Sequence, residues 1–330
     1  MCRSVRGSLI DGRLDASPRG YLLAGCRSGG VALTVLRPRH EAIPALSSRP
    51  VFQGLSIVLV VVLGLAALLF PNAADWYSRL RHAEEIGGYE RVVSGLESQK
   101  KEELLHSAEA YNATLSPDSL TDPYAVAGGY PAGPSVEETD SVPVPAAYGT
   151  QLAVEGSDAI GRVRYGEVGI DLPIYRGTGD DVLRAGAGHL VGSSLPVGGS
   201  SSHTVLTAHS GLPNARLFTP LHEAEVGDEF FVEVLGRVHR YRVDDIAIIE
   251  PDELDAIHIV AGRDYVTLFT CTPVGVNSHR LLVRGERIPQ EDTDTAVGET
   301  SAGAGFPWWA LIFTTGTGAT VLFVRTGGRR

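Results

Sequence analysis

The chain has 330 residues, which is enough for one or two domains with a substantial core. Its 39 glycines, 19 prolines and 7% aromatic content favour strands and turns and argue against a helical bundle. The formal net charge is −11, and the acidic surplus lies in the middle of the chain, which argues against nucleic acid and anionic lipid as ligands.

Residues 1–50 form an arginine-rich arm, and the run that follows predicts a membrane span. The arm has eight arginines against three acidic residues. Residues 51–70, VFQGLSIVLVVVLGLAALLF, carry no charge and are long enough as a helix to cross the roughly 30 Å hydrocarbon core of a bilayer. A cleaved signal peptide and a buried core helix are the alternatives. We favour an uncleaved anchor, because the run is long for a signal peptide and no small-x-small site follows closely.

The next two segments differ in composition. Residues 71–115 mix strong helix formers with charges and predict a helical stalk, with a break at Gly87 and Gly88. Residues 116–150 are rich in proline, glycine and serine and predict a linker.

Residues 151–289 change to short apolar runs separated by turn residues. Six to eight strands within about 140 residues predict a mainly β domain, either a closed barrel or a sandwich, with short helices near DDVLRAGAGHL and NARLFTPLHEA. The strand-like runs are VGIDLPIY, HTVLTAH, EFFVEVLG, VHRYRVDDIAIIE, DYVTLFTC and HRLLVRGERI.

Residues 290–305 read as a flexible tether into a second uncharged run, residues 306–324. Trp308 and Trp309 stand where an interfacial aromatic belt would lie, although a buried core helix is again the alternative. The tail, residues 325–330, adds three arginines. Arginine-rich flanks at both ends place the termini in the cytoplasm and the acidic middle outside, so we expect a plasma-membrane protein with an extracytoplasmic β domain.

This topology isolates one cysteine. Cys2 and Cys26 lie on the cytoplasmic side, so neither can form a disulfide with Cys271. A single cysteine outside the membrane indicates intermolecular pairing or a nucleophile, and a buried inert thiol is the alternative.

Two further residues border the same predicted loops. His209 ends the run HTVLTAH before a turn, whereas His239 and His258 are interpreted as lying among solvated charges. Arg280 opens the run RLLVR across the loop from the cysteine and could donate to a carbonyl oxygen, with Arg284 on the same strand face in reserve. Structural roles for the histidine and the arginine stay open at this point.

Four segments resemble the sortases, the membrane-anchored cysteine transpeptidases of Gram-positive bacteria. TLFTC resembles their TLxTC signature, TAHSGLPNARLF their histidine segment and CTPVGVNSHRLLVRGERI their cysteine-to-arginine segment. VGIDLPIYRGTGDDVLRAGAGHLVGSSLPVGG resembles the stretch that leads to the histidine. The resemblance implies a closed barrel of about eight strands, with Cys271 as nucleophile, His209 as proton-transfer partner and Arg280 as ligand of the carbonyl and oxyanion.

Three features resemble class C sortases, the pilin polymerases: HRLLVRG after the cysteine, a second C-terminal span, and TDPY before the domain. The resemblance implies that Asp122, Pro123 and Tyr124 form a lid. In it, Asp122 would pair with Arg280 and Tyr124 would cover Cys271.

The implied reaction joins pilins. The enzyme would cleave an LPxTG-like C-terminal sorting signal between threonine and glycine through a thioacyl intermediate, and transfer the acyl group to a lysine of the next pilin. Pilins and the membrane are therefore the expected partners, with no nucleic acid. No carboxylate cluster indicates calcium and no cysteine and histidine spacing indicates zinc, so we expect no metal and no cofactor. The alternatives are a housekeeping sortase that anchors proteins to cell-wall peptide and a non-catalytic, membrane-anchored β domain in surface assembly.

Overall fold

The computed structural model describes residues 49–115, 120, 146–289 and 303–327. Helices α1 to α5 and strands β1 to β8 follow one another along this part of the chain. The helices are α1 (Arg49–Gly95), α2 (Ser98–Asn112), α3 (Ala146–Gly149), α4 (Asp180–Ala185) and α5 (Trp308–Gly327), with 3₁₀ turns at Thr219–Glu223 and Asp255–Ile257. The strands are β1 (Ala159–Tyr165), β2 (Ile170–Arg176), β3 (Ala187–His189), β4 (Ser202–Thr207), β5 (Glu229–Val234), β6 (Arg237–Ile249), β7 (Asp264–Thr272) and β8 (His279–Arg287).

Helix α1 joins the predicted span and most of the predicted stalk in one continuous helix of 47 residues. The predicted break at Gly87 and Gly88 is wrong, because the helix continues to Gly95. Ile86 before the glycines and Tyr89 after them are both buried. Packing of this face against the barrel offsets the roughly 1 kcal/mol that each glycine costs a helix interior.

The N-terminal part of α1 is apolar and exposed, and α1 is the one helix within the described ranges that is long and apolar enough to cross a membrane. Helix α5 lies alongside it, where the second span is predicted. A Cβ on Gly54 would stand 2.6 Å from Val324, so the two helices approach closely through a small residue. Trp76 contacts Trp309 edge to face at 6.2 Å between ring centroids. A second span remains a prediction.

The eight strands close into a barrel in the order β1-β2-β3-β4-β7-β8-β6-β5. This confirms the predicted closed barrel. The β2–β3 and β4–β7 pairs are parallel and the remaining pairs are antiparallel. The sequence runs did not indicate β1 or β3, since β1 contains two arginines and β3 has only three residues.

Buried polar contacts fasten α1 to the first strands. The hydroxyl of Tyr89 donates to the carbonyl oxygen of Ile160 at 3.0 Å and accepts from the N–H of Leu235 at 2.8 Å. Arg162, 4% exposed, donates to both carboxylate oxygens of Asp171 at 2.7 and 2.9 Å and to Glu90 at 3.0 Å. The helix that carries the apolar run is thus bonded to β1 and to the start of the β5–β6 turn.

The Tyr89 contacts lead to a stability prediction. Tyr89→Phe leaves a buried carbonyl and a buried N–H without this hydroxyl, so we expect the free energy of unfolding to fall by about 1–3 kcal/mol. Urea denaturation of the full chain in detergent measures this. The matched control is Tyr77→Phe on the same helix, where Tyr77 is 56% exposed and its loss is expected to be nearly neutral. Equal midpoints for the two variants would contradict the assigned role of Tyr89.

Candidate active site

Cys271 and Arg280 lie directly opposite each other on neighbouring strands. Cys271 is the last residue but one of β7, and Arg280 is the second residue of β8. The antiparallel register pairs them. Directly opposed residues point to the same face of a sheet, with Cβ atoms about 4.5–5.5 Å apart. The pairing therefore sets the guanidinium and the thiol side by side.

His209 lies on the other side of the cysteine. It follows β4 by two residues, and the last paired position of β4 is Thr207 opposite Phe269 in the parallel register with β7. Hydrogen bonds continue this pairing past the end of the strand: Thr270 Oγ1 donates to the Ala208 carbonyl at 2.7 Å, and Ser210 Oγ donates to the Cys271 carbonyl at 2.7 Å. His209 is therefore level with Cys271, about one strand spacing of 4.8 Å away.

The three residues form a row across β4, β7 and β8 at one end of the barrel. Side chains along β7 alternate between the inner and the outer face of the barrel. Val266 and Leu268 belong to the main core, whereas Phe269 and Cys271 belong to a second apolar cluster. The row therefore lies on the outer face of the sheet. That cluster, which we call the thiol cluster, comprises Leu183, Leu190, Val205, Ile257, Phe269, Cys271 and Leu282.

The thiol cluster limits access to the row. Cys271 and Arg280 are each 7% exposed, and the His209 side chain is 18% exposed. Leu120, just before the predicted lid, packs against this cluster. The predicted lid residues, Asp122, Pro123 and Tyr124, lie outside the described residues.

Polar contacts hold the two basic groups. Arg280 Nη1 donates to the carbonyl oxygens of Asn277 at 3.0 Å and His279 at 3.2 Å, which directs the guanidinium along the β7–β8 loop. His209 Nε2 lies 3.2 Å from Asp180 Oδ1 at the start of α4. The thiol of Cys271 thus lies between a guanidinium and an imidazole.

Two sequence interpretations are corrected here. Arg284, held in reserve, bonds both carboxylate oxygens of Asp244 at 3.1 and 2.9 Å. It lies four residues along β8 from Arg280, about 13 Å away, because a strand rises about 3.4 Å per residue. His239 is 6% exposed rather than solvated, since it packs under Arg287, and burial with that guanidinium lowers its pKa to about 3.

His203 is a feature that the sequence interpretation missed. Its Nδ1 contacts the carbonyl oxygen of His258 at 2.8 Å, and its Nε2 contacts Thr267 Oγ1 at 2.7 Å. Burial lowers the pKa of His203 to about 4, so the ring is neutral at pH 7. It donates from Nδ1 and accepts at Nε2, and thereby supports the outer face of β7. The sequence feature that could have identified His203 as a buried histidine is its place in the apolar run HTVLTAH.

Within the described part of the chain, no group of three or more histidine, cysteine, aspartate or glutamate side chains is arranged to hold a metal ion. The chemistry available at the row is that of the thiol, the imidazole and the guanidinium.

Comparisons with known proteins agree on one family. The family model of the sortase domain matches residues 165–288. The solved structure of Sortase C from Streptococcus pneumoniae is 41% identical, with a TM-score of 0.55 over 63% of this chain and 97% of that one. The pilus-related Sortase C of Group B Streptococcus is 39% identical, with a TM-score of 0.53 over 62% of this chain and 96% of that one.

A more distant relative matches only in part. Sortase A of Streptococcus agalactiae is 29% identical over 130 residues, which are 38% of this chain and 52% of that protein. The chain spans about half the length of this relative but nearly all of the two Sortase C structures. The similarity to the two Sortase C structures therefore covers more of both chains than the similarity to Sortase A.

His203 leads to a pH prediction. The folded pKa of about 4 lies below the unfolded value of about 6.5, so at intermediate pH the unfolded chain binds the extra proton. Stability therefore falls as pH drops from about 6.5 to about 4, by on the order of 1–3 kcal/mol for this group. His203→Gln keeps a donor and an acceptor but does not titrate, so we expect a flatter profile of unfolding free energy in urea. His106→Gln, with a side chain 86% exposed, is the matched control. An unchanged profile in His203→Gln would contradict the assignment.

Proposed function

This chain belongs to the sortase family, in its class C, and we propose that it is a cysteine transpeptidase that polymerises pilins. The observation that carries the proposal is the row in which Cys271 lies between His209 and Arg280 on adjacent strands. The similarity to the pilus-related Sortase C of Group B Streptococcus supports the substrate class.

Acylation is the first step. The LPxTG-like sorting signal of a pilin lies extended on the outer face of β7 and β8, and Cys271 Sγ attacks the carbonyl carbon of its threonine. Arg280 donates to the oxyanion of the tetrahedral intermediate, where a preorganised donor stabilises the developing charge. His209 gives its proton to the departing glycine amine.

Transfer is the second step. A lysine amine of the next pilin attacks the thioacyl carbon, its proton passes to His209, the Cys271 thiolate leaves, and an isopeptide bond forms. The thioester conserves the acyl free energy of the cleaved peptide bond, so the ligation needs no nucleotide.

The lid proposal concerns access to the thiol. Asp122, Pro123 and Tyr124 cover the row, with the carboxylate on Arg280 and the ring over Cys271. Packing of Leu120 on the thiol cluster supports this, because that residue is two positions before the proposed lid. A substrate then has to displace the lid before it reaches the sulfur.

The membrane arrangement follows the charge pattern. Residues 51–70 and 306–324 cross the membrane, with cytoplasmic ends at 1–50 and 325–330. The catalytic domain, residues 151–289, lies outside the cell membrane. The stalk, 71–115, and the linker, 116–150, connect it to the first span, and the linker, 290–305, connects it to the second span. The contacts of α1 with α5 support a paired anchor. Anchoring raises the effective concentration of enzyme and membrane-held substrate at one surface.

A polymerisation assay tests the function. The full chain in nanodiscs, incubated with a pilin that carries an LPxTG-like signal, is expected to produce a covalent ladder on denaturing gels, and Cys271→Ala is expected to abolish it. Arg280→Lys keeps the charge but loses the planar donors, so we expect ladder formation to slow by about 10²-fold or more. Arg284→Lys is the matched control and is expected to retain activity.

A ladder from Cys271→Ala would overturn the role of Cys271 as nucleophile, and the absence of a ladder from both proteins would favour the non-catalytic assembly domain. A product joined to cell-wall peptide, with no pilin polymer, would assign the chain to housekeeping anchoring instead.

Thiol modification tests the lid. Alkylation of Cys271 by a maleimide, followed by mass spectrometry of its peptide, is expected to be about tenfold faster in Asp122→Ala/Tyr124→Ala, which corresponds to about 1.4 kcal/mol of lid closure. The matched control changes the same residue types in the same linker, Asp118→Ala/Tyr130→Ala. Equal rates in both double variants would show that the segment does not cover the thiol.

A further inference from the structure

Asp180 contacts the imidazole of His209. The carboxylate oxygen Oδ1 lies 3.2 Å from Nε2. From this contact we propose that Asp180 is a positioning residue for His209: its carboxylate accepts a hydrogen bond from Nε2–H, so that the neutral ring carries its lone pair on Nδ1. The inference rests on the proposed transpeptidase function.

The fold holds Asp180 in place from two directions. Helix α4 connects β2 to β3, and β3 pairs with β4, so the helix lies beside the strand that leads to His209. Leu183, one turn after Asp180, is fully buried in the thiol cluster together with Cys271. The helix that carries the carboxylate is thus anchored on the same apolar cluster as the nucleophile.

The second carboxylate oxygen is occupied as well. Arg184 Nη2 lies 3.0 Å from Asp180 Oδ2, one turn along the same helix. Because Arg184 binds Oδ2, the carboxylate is oriented with Oδ1 toward His209. Among the described residues, Asp180 on α4 contacts the imidazole, Arg184 lies behind that carboxylate, and Cys271 on β7 separates His209 from Arg280 on β8.

Fixing the proton on Nε2 has a chemical consequence. A neutral His209 then has its lone pair on Nδ1, which can take the Sγ proton and form a thiolate and an imidazolium. When the C–N bond of the threonyl-glycine link breaks, the same Nδ1 proton goes to the glycine amine. The Asp180 carboxylate stabilises the imidazolium of this cycle and takes no proton itself.

The size of the effect is limited by solvent. The Asp180 side chain is 42% exposed, and pairs this exposed are worth at most about 1 kcal/mol. That corresponds to a loss of about two- to fivefold in kcat on removal of the charge, far less than the loss of a reacting group.

The test uses the full chain in nanodiscs with three variants. Asp180→Asn removes the charge, Asp180→Glu restores it on a longer side chain, and Asp181→Asn removes the same charge from the next residue of the same helix turn. The readouts are kcat and KM for cleavage of a fluorogenic LPETG peptide, and the ¹⁵N chemical shifts of the His209 ring at one pH, which report which ring nitrogen carries the proton.

We expect Asp180→Asn to lower kcat about two- to fivefold with KM unchanged, and to change the ¹⁵N chemical shifts of the His209 ring. Asp180→Glu is expected to recover part of both effects, and Asp181→Asn to show neither. Ring ¹⁵N shifts of His209 that are the same in Asp180→Asn and the parent chain would overturn the inference, whatever happens to stability.

The two levels of the proposal fail in different ways. The ¹⁵N shifts of the His209 ring report the Asp180–His209 contact even where the peptide is not cleaved. Activity that persists in Cys271→Ala would overturn the proposed function, whereas activity lost in Cys271→Ala with His209 unaffected by Asp180→Asn would overturn the positioning role alone.

Discussion

The central position of β7, hydrogen bonded to β4 on one side and to β8 on the other, is the constraint on which the candidate site depends. It places Cys271 between two strand ends, with Arg280 opposite it and His209 level with it. Side chains alternate along a strand, so a shift of one residue in β8 would turn Arg280 into the barrel interior. Backbone pairing therefore places the three side chains of the row next to one another, independently of any contact between those side chains.

The apolar thiol cluster adds a second constraint on the outer face of β7. Burial of Cys271 with Phe269 and Leu282 restricts access to the sulfur, and the same cluster receives Leu183 from α4 and Leu120 from the linker. The thiol cluster therefore contacts both α4, which carries Asp180, and Leu120, which lies two positions before the proposed lid.

The contacts of α1 relate the barrel to the apolar run. Tyr89 and Arg162 are buried and bond across the junction between the helix and β1, so the barrel is attached to the C-terminal half of α1 by specific hydrogen bonds. In addition, Asp75 Oδ1 accepts from the backbone N–H of Arg216 at 3.0 Å, in the loop that begins at His209. The part of α1 nearest the apolar run therefore contacts the loop of a proposed catalytic residue.

The sequence by itself determined the strand-rich class and six of the eight strands, because their apolar runs are local patterns. It also placed Cys271, His209 and Arg280 at strand ends. Only the tertiary structure decided that their strands are neighbours, that α1 continues through Gly87 and Gly88, and that Asp180 contacts a histidine 29 positions away. Strand order and burial depend on contacts between residues distant in the chain, and a local pattern carries no information about those contacts.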